Sequence, residues 1–92
     1  MRAALLLLFA ASAGARELRV CADPDNLPYS NLAERGFENR IVRLIAKDLD
    51  ADLTYYWLPQ WRGFTRKTLL DGHCDVIPGV PVDSPNVRVT AP

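Results

Sequence analysis

The 92-residue chain has no excess of charge of either sign, because eleven Lys and Arg residues balance eleven Asp and Glu residues. A balanced chain offers no electrostatic attraction for nucleic acid or for an anionic membrane surface. The sequence also lacks a GxGxxG or GxxxxGK[ST] segment, so nothing in it predicts a nucleotide site. These absences leave one small domain of ordinary globular composition.

Residues that commonly carry catalysis or bind metals are also few. The single histidine, His73, follows Gly72 and is predicted to be an exposed turn residue, not a catalytic one. It cannot form a nucleophile pair with Cys74, because neighbouring side chains in a turn or strand point apart. Asp23 and Asp25 lack the glycine and the distant glutamate of a calcium loop and are interpreted as turn residues. The sequence therefore predicts no catalytic residue, no metal site and no cofactor.

The longest apolar run is too short to cross a membrane. It covers the nine residues 3–11, whereas a membrane-spanning helix needs about 20. The positively charged Arg2 precedes it and an Ala-Gly-Ala sequence at 13–15 follows, which is typical of a secretory signal peptide and its cleavage site. We therefore predict that residues 1–15 are a signal peptide, that residues 16–92 form the mature domain, and that the protein is exported.

The apolar patterning of the mature chain predicts alternating strands and helices. Short runs rich in β-branched and aromatic residues indicate strands, and apolar residues at helical spacing indicate helices. Because each crossover contains a helix, the strands should be parallel, as in the α/β class. The predicted elements are a strand at 18–22, a loop at 23–31, a helix at 36–51, a strand at 53–59, a helix at 61–70 and a short strand at 75–77.

The first predicted helix is amphipathic, so its apolar stripe should lie on the sheet. Asp50 takes the position after the helix, where a left-handed backbone conformation is common. The aromatic residues of the second strand, Tyr55, Tyr56 and Trp57, are predicted to line the core and the surface that faces the helix. The stripe consists of Phe37, Ile41, Leu44, Ile45 and Leu49, widened by Val42.

The loops that follow the first two strands form the predicted functional edge, because ligands of open parallel sheets bind beyond the carboxyl ends of the strands. Tyr29 could stack on a ligand, and Arg62 could meet an anion near the start of the second helix. Trp61 has two readings of equal weight, a ligand contact or an apolar anchor for that helix. The ligand- or partner-binding residues predicted in these loops are Asp23, Tyr29, Asn31, Trp61 and Arg62.

The sequence does not decide whether the two cysteines, Cys21 and Cys74, form a disulfide with each other. An exported protein can form disulfides, and this one would close a loop of about 53 residues and contribute roughly 4 kcal/mol in the chain-entropy model. Against it, the first cysteine ends one strand and the second begins another, which predicts an offset of several residues along the sheet. Two buried thiols, or pairing with cysteines beyond residue 92, are the alternatives.

Four segments together carry a family resemblance: LRVCADPDNLPYSN, GFENRIVRLIAKDL, DADLTYYW and PQWRGFTRKTLLDGHCDVIPGVP. They resemble the start of a type II periplasmic solute-binding protein, and more narrowly the MxaJ/XoxJ branch associated with PQQ-dependent methanol and alcohol dehydrogenases. The resemblance covers residues 17–92. It implies two α/β lobes with a ligand cleft between them, a first lobe that begins β-α-β-α-β, and a chain that is an N-terminal part of that lobe.

One departure from the family pattern bears on function. Amino-acid-binding members follow the third strand with a Gly-Met-Ser/Thr segment and then an Arg, which hold the ligand carboxylate by charge-assisted hydrogen bonds. Gly79 matches, but Pro81 stands in the place of the hydroxyl residue, and Arg88 comes later than the family arginine. Pro81 therefore joins the predicted site residues as a substituted anchor position, which favours a protein or an unusual ligand over an amino acid.

The resemblance and the missing anchor lead to one function and two alternatives. The leading expectation is an exported, non-catalytic accessory protein that binds or helps to activate a quinoprotein alcohol dehydrogenase; PQQ and any metal would belong to that partner. The first alternative is the substrate-binding component of an ABC transporter for amino acids or another small polar solute. The second, an enzyme such as a dehydratase, is disfavoured because the paired polar groups are turn residues.

Overall fold

The computed structural model describes residues 16–91, and its main sheet is parallel, as predicted. Strand β1 (Arg16–Ala22) pairs along its whole length with strand β4 (Ala51–Trp57). Two further short strands, β2 (Asp25–Asn26) and β3 (Ser30–Asn31), pair with each other in antiparallel fashion. Helix α1 (Phe37–Asp48) provides the crossover, and helix α2 (Phe64–Lys67) follows β4. The predicted signal peptide at 1–15 lies outside the described residues.

Strand β1 lies in the middle of the sheet. Strand β4 pairs with one edge of β1, and after β4 the chain returns to the opposite edge of β1. Val20 forms an isolated parallel bridge with Val76, and the Cys21 N–H donates to the Val76 carbonyl at 3.0 Å. The predicted third strand at 75–77 is therefore reduced to one bridge. Pro78 has no N–H for a ladder, and Gly79 follows with a φ of 79°, so regular pairing ends there.

Three other element predictions need correction. The second strand begins and ends two residues earlier than predicted. The second helix covers four residues instead of ten. It ends at Lys67, and the buried hydroxyl of the next residue, Thr68, donates to the Phe64 carbonyl at 2.7 Å. The stretch predicted as a loop contains the β2–β3 hairpin, in which Ser30 Oγ donates to the Asp23 carbonyl at 2.8 Å.

Each face of β1 carries its own apolar core, as the alternation of strand side chains requires. On the α1 side, the buried cluster is Leu18, Val20 and Ala22 of the strand with Val42 and Ala46 of the helix. On the other side, the cluster consists of Cys21, Phe64 and Cys74, with Leu58, Leu69 and Ile77 packed against it.

The structure closes Cys21 and Cys74 as a disulfide, with their Cα atoms 5.6 Å apart. The predicted offset does not prevent the disulfide, because Cys74 precedes the single bridge at Val76 and lies outside any strand. The Asp75 N–H donates to the Arg19 carbonyl at 2.8 Å, which draws the preceding cysteine against the strand. Arg19 and Asp75 also form an ion pair at 2.9 Å beside the disulfide.

Helix α1 forms where predicted but buries a different face. Asp50 takes a left-handed conformation with a φ of 54°, as predicted, but the helix ends at Asp48, three residues before the predicted bound at 51. The buried positions are Glu38, Asn39, Val42 and Ala46. The sheet beneath is two strands and one bridge wide, so it covers only this narrow strip. Of the predicted stripe only Val42 is buried, and the other five residues remain exposed, at 47% for Phe37, 47% for Ile41, 69% for Leu44, 45% for Ile45 and 40% for Leu49.

None of the helices within residues 16–91 combines the length and the apolar character that a membrane-spanning segment requires.

Candidate functional site

Asp23 joins the loops that follow β1 and β4. Its carboxylate accepts the Asp25 N–H through Oδ1 and the Gln60 N–H through Oδ2, both at 2.8 Å. Asn26 adds a second link, because its Nδ2 donates to Gln60 Oε1 at 3.4 Å. The two loops therefore lie side by side, and Asp23 holds them together from a buried position.

The residues beside this link are exposed. Trp61, directly after Gln60, is 78% exposed, and Arg62 is exposed too. Arg62 forms no ion pair within residues 16–91. The backbone carbonyl of Trp61 accepts the Phe64 N–H at 3.0 Å, which starts the turn into α2. Because the Trp61 backbone and not its side chain holds the start of α2, the indole ring is free to contact another molecule.

Tyr29 comes from the hairpin and is held by the start of α1. Its ring, 46% exposed, packs against Phe37 with centroids 5.2 Å apart. Its carbonyl accepts the Glu38 N–H at 2.9 Å, so the hairpin satisfies one of the free N–H groups of the helix. A Cβ on Gly36 would overlap the Tyr29 carbonyl, which explains why a glycine precedes the helix.

Asn39 organises this region and was missed by the sequence analysis. It is 1% exposed; its Oδ1 accepts the N–H groups of Gly36 at 2.9 Å and Asn31 at 3.2 Å, and its Nδ2 donates to the Tyr55 hydroxyl at 2.9 Å. Burial raises the pKa of Tyr55, and the hydrogen bond with Asn39 partly offsets that rise. The available signal was an asparagine three residues after the glycine that precedes the helix.

Asn31, a predicted site residue, uses its own side chain locally. Its Oδ1 accepts the Arg35 N–H at 2.8 Å, which shapes the turn before α1. Pro81 lies apart from the loops, in the irregular segment 78–91, where its carbonyl accepts the Ser84 N–H at 3.1 Å and the Ser84 hydroxyl at 2.7 Å. The structure thus groups the hairpin with the loop after β4, and no hydrogen bond within the described residues ties Pro81 to them.

The aromatic residues of β4 divide between the two faces of the sheet. Tyr55 and Trp57 stack on each other at 4.2 Å and pack on the core beside α1, as predicted. Tyr56 points to the other face, is 37% exposed and stacks on His73 at 4.2 Å. The core position predicted for Tyr56 was wrong, because strand alternation sends it away from α1. His73 is exposed, 3.5 Å from the Asp71 carboxylate.

Within residues 16–91, no three His, Cys, Asp or Glu side chains form a cluster that could hold a metal ion. What the loop edge offers is an exposed indole, an exposed guanidinium and a half-exposed phenol on a backbone fixed by Asp23 and Asn39. Aromatic and arginine side chains of this kind contribute most of the energy in protein interfaces.

No protein-family model matches the chain. Among curated proteins, it is 33% identical over 91 residues to protein MoxJ of Paracoccus denitrificans, covering 98% of this chain and 33% of MoxJ. It is also 50% identical over 46 residues to an uncharacterized protein in the cycB 3′ region of the same organism, covering 50% of this chain and 55% of that protein. The chain thus spans about a third of the length of MoxJ.

Solved structures agree with the sequence relatives. MxaJ from Methlophaga aminisulfidivorans MPT superposes with a TM-score of 0.74 at 36% identity, covering 82% of this chain and 31% of MxaJ. The periplasmic binding protein XoxJ from Methylobacterium extorquens AM1 superposes with a TM-score of 0.57 at 48% identity, covering 65% of this chain and 25% of XoxJ. The predicted resemblance is confirmed: the chain is a homologue of MoxJ, MxaJ and XoxJ, and it shares their α/β fold with a parallel sheet over the segment compared.

Proposed function

We propose that the protein is a periplasmic, non-catalytic accessory protein of a PQQ-dependent methanol or alcohol dehydrogenase, and that it binds or helps to activate that enzyme. The observation that carries the proposal is the similarity to MoxJ, MxaJ and XoxJ in sequence and in fold. The substitution of Pro81 at the position of the family's carboxylate anchor supports a protein partner over an amino acid.

The partner surface proposed here consists of Tyr29, Trp61 and Arg62. The exposed indole of Trp61 projects from a loop whose backbone is fixed by Asp23, so its burial in a complex would cost little ordering entropy. Arg62 beside it forms no ion pair within the described residues and can pair with an acidic group of the dehydrogenase.

Size-exclusion chromatography with the purified quinoprotein dehydrogenase tests the proposal, at low and at moderate salt. We expect a shared peak that survives moderate salt. Trp61→Ala should weaken the complex about tenfold or more, as alanine substitutions of buried interface tryptophans do. Leu44→Ala is the matched control, because Leu44 is also an exposed large apolar residue, at 69%, but lies on α1. Separate peaks, or equal loss with both variants, would contradict the proposal.

The export part of the proposal has its own test. Residues 1–15 are proposed to be removed as a signal peptide during export to the periplasm. The intact mass of the protein recovered from the periplasm should then correspond to a chain that starts at Arg16. A recovered mass that still includes the apolar residues 3–11 would show that cleavage does not occur.

A solute-binding role in an ABC importer is the second candidate, because XoxJ is described as a periplasmic binding protein. Under this alternative, Tyr29 and Trp61 would contact a small polar solute. A thermal-shift screen of amino acids should then give saturable stabilisation that Trp61→Ala abolishes. Saturable binding without any association with the dehydrogenase would favour this candidate over the first.

A further inference from the structure

A groove of about 460 Å³ runs between α1 and the segment 75–91. Apolar side chains form most of its wall, with Ile41 and Ile45 on the helix side and Ile77 and Val80 on the segment side. Its volume is in the range of small-ligand sites, about 300–1,000 Å³. The groove contains none of the residues of the partner surface, and we call it the Glu38 groove after the acidic residue in its wall.

Glu38 is a buried carboxylic acid in the first turn of α1, with 7% of its surface exposed. Its side chain forms no hydrogen bond or ion pair within residues 16–91. Every polar side-chain atom that is fully buried in this part of the chain has a partner, so the Glu38 oxygens must keep some accessible surface. Glu38 lines the groove, and its Oε2 lies against Gly79 of the opposite wall.

Gly79 brings the opposite wall directly onto the carboxylate. Its φ of 79° favours glycine, and a Cβ at this position would overlap Oε2 of Glu38. The remaining charged groups of the wall do not neutralise Glu38. Asp75 is paired with Arg19, and Arg88 is exposed to solvent. The groove therefore presents one buried, unpaired acidic group on an apolar wall, with Arg88 as an exposed cation elsewhere in its lining.

A cation that enters the groove would stabilise the Glu38 carboxylate. Burial raises the pKa of Glu38, because the charged form has lost hydration without gaining a partner. An ammonium group supplies three donors and a full positive charge. An apolar chain attached to it can cover Ile41, Ile45 and Val80 at the same time.

We propose that the Glu38 groove is a binding site for a primary aliphatic ammonium compound, whose charged head pairs with Glu38 and whose hydrocarbon chain lies between α1 and residues 77–80. This ligand class follows from the two features of the wall, one acidic group and a continuous apolar surface. The groove shares no residue with the proposed dehydrogenase contact, although Phe37 of its lining packs against Tyr29, so the two kinds of binding are measured in separate experiments.

Titration of the full chain with n-hexylammonium, followed by calorimetry and by NMR, tests the proposal. We expect saturable binding, with chemical-shift changes at Phe37, Ile41 and Gly79. Butylammonium should bind more weakly, because it buries less apolar surface. Hexanol, which has the chain without the charge, should bind about tenfold or more weakly than hexylammonium, because it cannot form the close charge pair with Glu38.

Two variants separate the carboxylate from general changes in charge. Glu38→Gln keeps the size of the side chain and should remove the preference for hexylammonium over hexanol. Asp48→Asn removes an exposed negative charge from the same helix and should leave binding unchanged. The proposal is overturned if hexylammonium does not saturate, if hexanol binds equally well, or if Glu38→Gln binds hexylammonium with unchanged affinity.

Discussion

Asn39→Ala should be among the most damaging single substitutions, although it lies outside the apolar core. The alanine would leave the N–H groups of Gly36 and Asn31 without their acceptor and the Tyr55 hydroxyl without its donor. A lost hydrogen bond costs about 1 kcal/mol net, and a buried group left without a partner about 1–3 kcal/mol. Because Asn31 and Tyr55 are half-buried and water can reach them, we expect a total loss of roughly 3 kcal/mol.

Urea unfolding followed by tryptophan fluorescence measures this loss, since Trp57 lies beside the region affected. Tyr55→Phe removes a single hydrogen bond and should cost about 1 kcal/mol. The double variant should lose less than the sum of the single losses, because both changes remove the same bond. Arg40→Ala, an exposed change on the same helix, should stay within about 0.5 kcal/mol. A loss below about 1 kcal/mol for Asn39→Ala, or strict additivity with Tyr55→Phe, would refute the assigned role.

Three further perturbations test other parts of the structure. Replacing Cys21 and Cys74 together by Ala opens a 53-residue loop and should cost roughly 4 kcal/mol in urea unfolding; stability equal to that of the oxidised protein would contradict this. Gly36→Ala forces a methyl group onto the Tyr29 carbonyl and should lower the melting temperature, and an unchanged value would show that the hairpin can move away. The pKa of Glu38 is raised in the folded protein, so the folded protein holds this proton more tightly than the unfolded chain does. The free energy of unfolding should therefore fall as the pH rises from the ordinary glutamate pKa through the raised one. Glu38→Gln should lose this dependence, and an unchanged pH profile would contradict the assignment.

The strands of the sheet were largely predictable, because turn-forming residues follow their apolar runs. Residues 18–22 are followed by Asp23 and Pro24, and the aromatic run of β4 is followed by Pro59. The third strand was predicted in the right place but too long, since only Val76 of residues 75–77 forms a bridge with β1. Periodicity identifies an element when its whole length carries the pattern, and a one-residue bridge has no length to carry it.

The buried face of α1 shows a different limit. Helical spacing correctly placed the helix, although it ends at Asp48 and not at 51, but the spacing assigned Leu44 and Ile45 to the core. The pattern records where the apolar side chains are, whereas burial depends on how much sheet lies beneath them. The narrow sheet covers the strip that contains the polar residues Glu38 and Asn39 instead.

The candidate site was predictable as a place and not as a set of contacts. The topology alone brought the loops after β1 and β4 to one edge. The hydrogen bonds that fix them join residues far apart, with Asp23 and Gln60 separated by 37 positions and Asn39 and Tyr55 by 16. The Asp23 carboxylate, which was expected to contact a ligand, instead accepts the hydrogen bonds that join the two loops. No local pattern distinguishes the two uses of a turn aspartate.

The central position of β1 sets the order in which the chain can fold. This strand is synthesised before its partners. One edge pairs with β4, which begins at Ala51, and the other edge pairs only at Val76. Neither edge can be satisfied by a neighbouring hairpin, so every pairing must close a long loop first. Proteins dominated by such distant contacts fold slowly. Until Val76 is available, this second edge of β1 stays unpaired, and that interval is when a chaperone has most to bind.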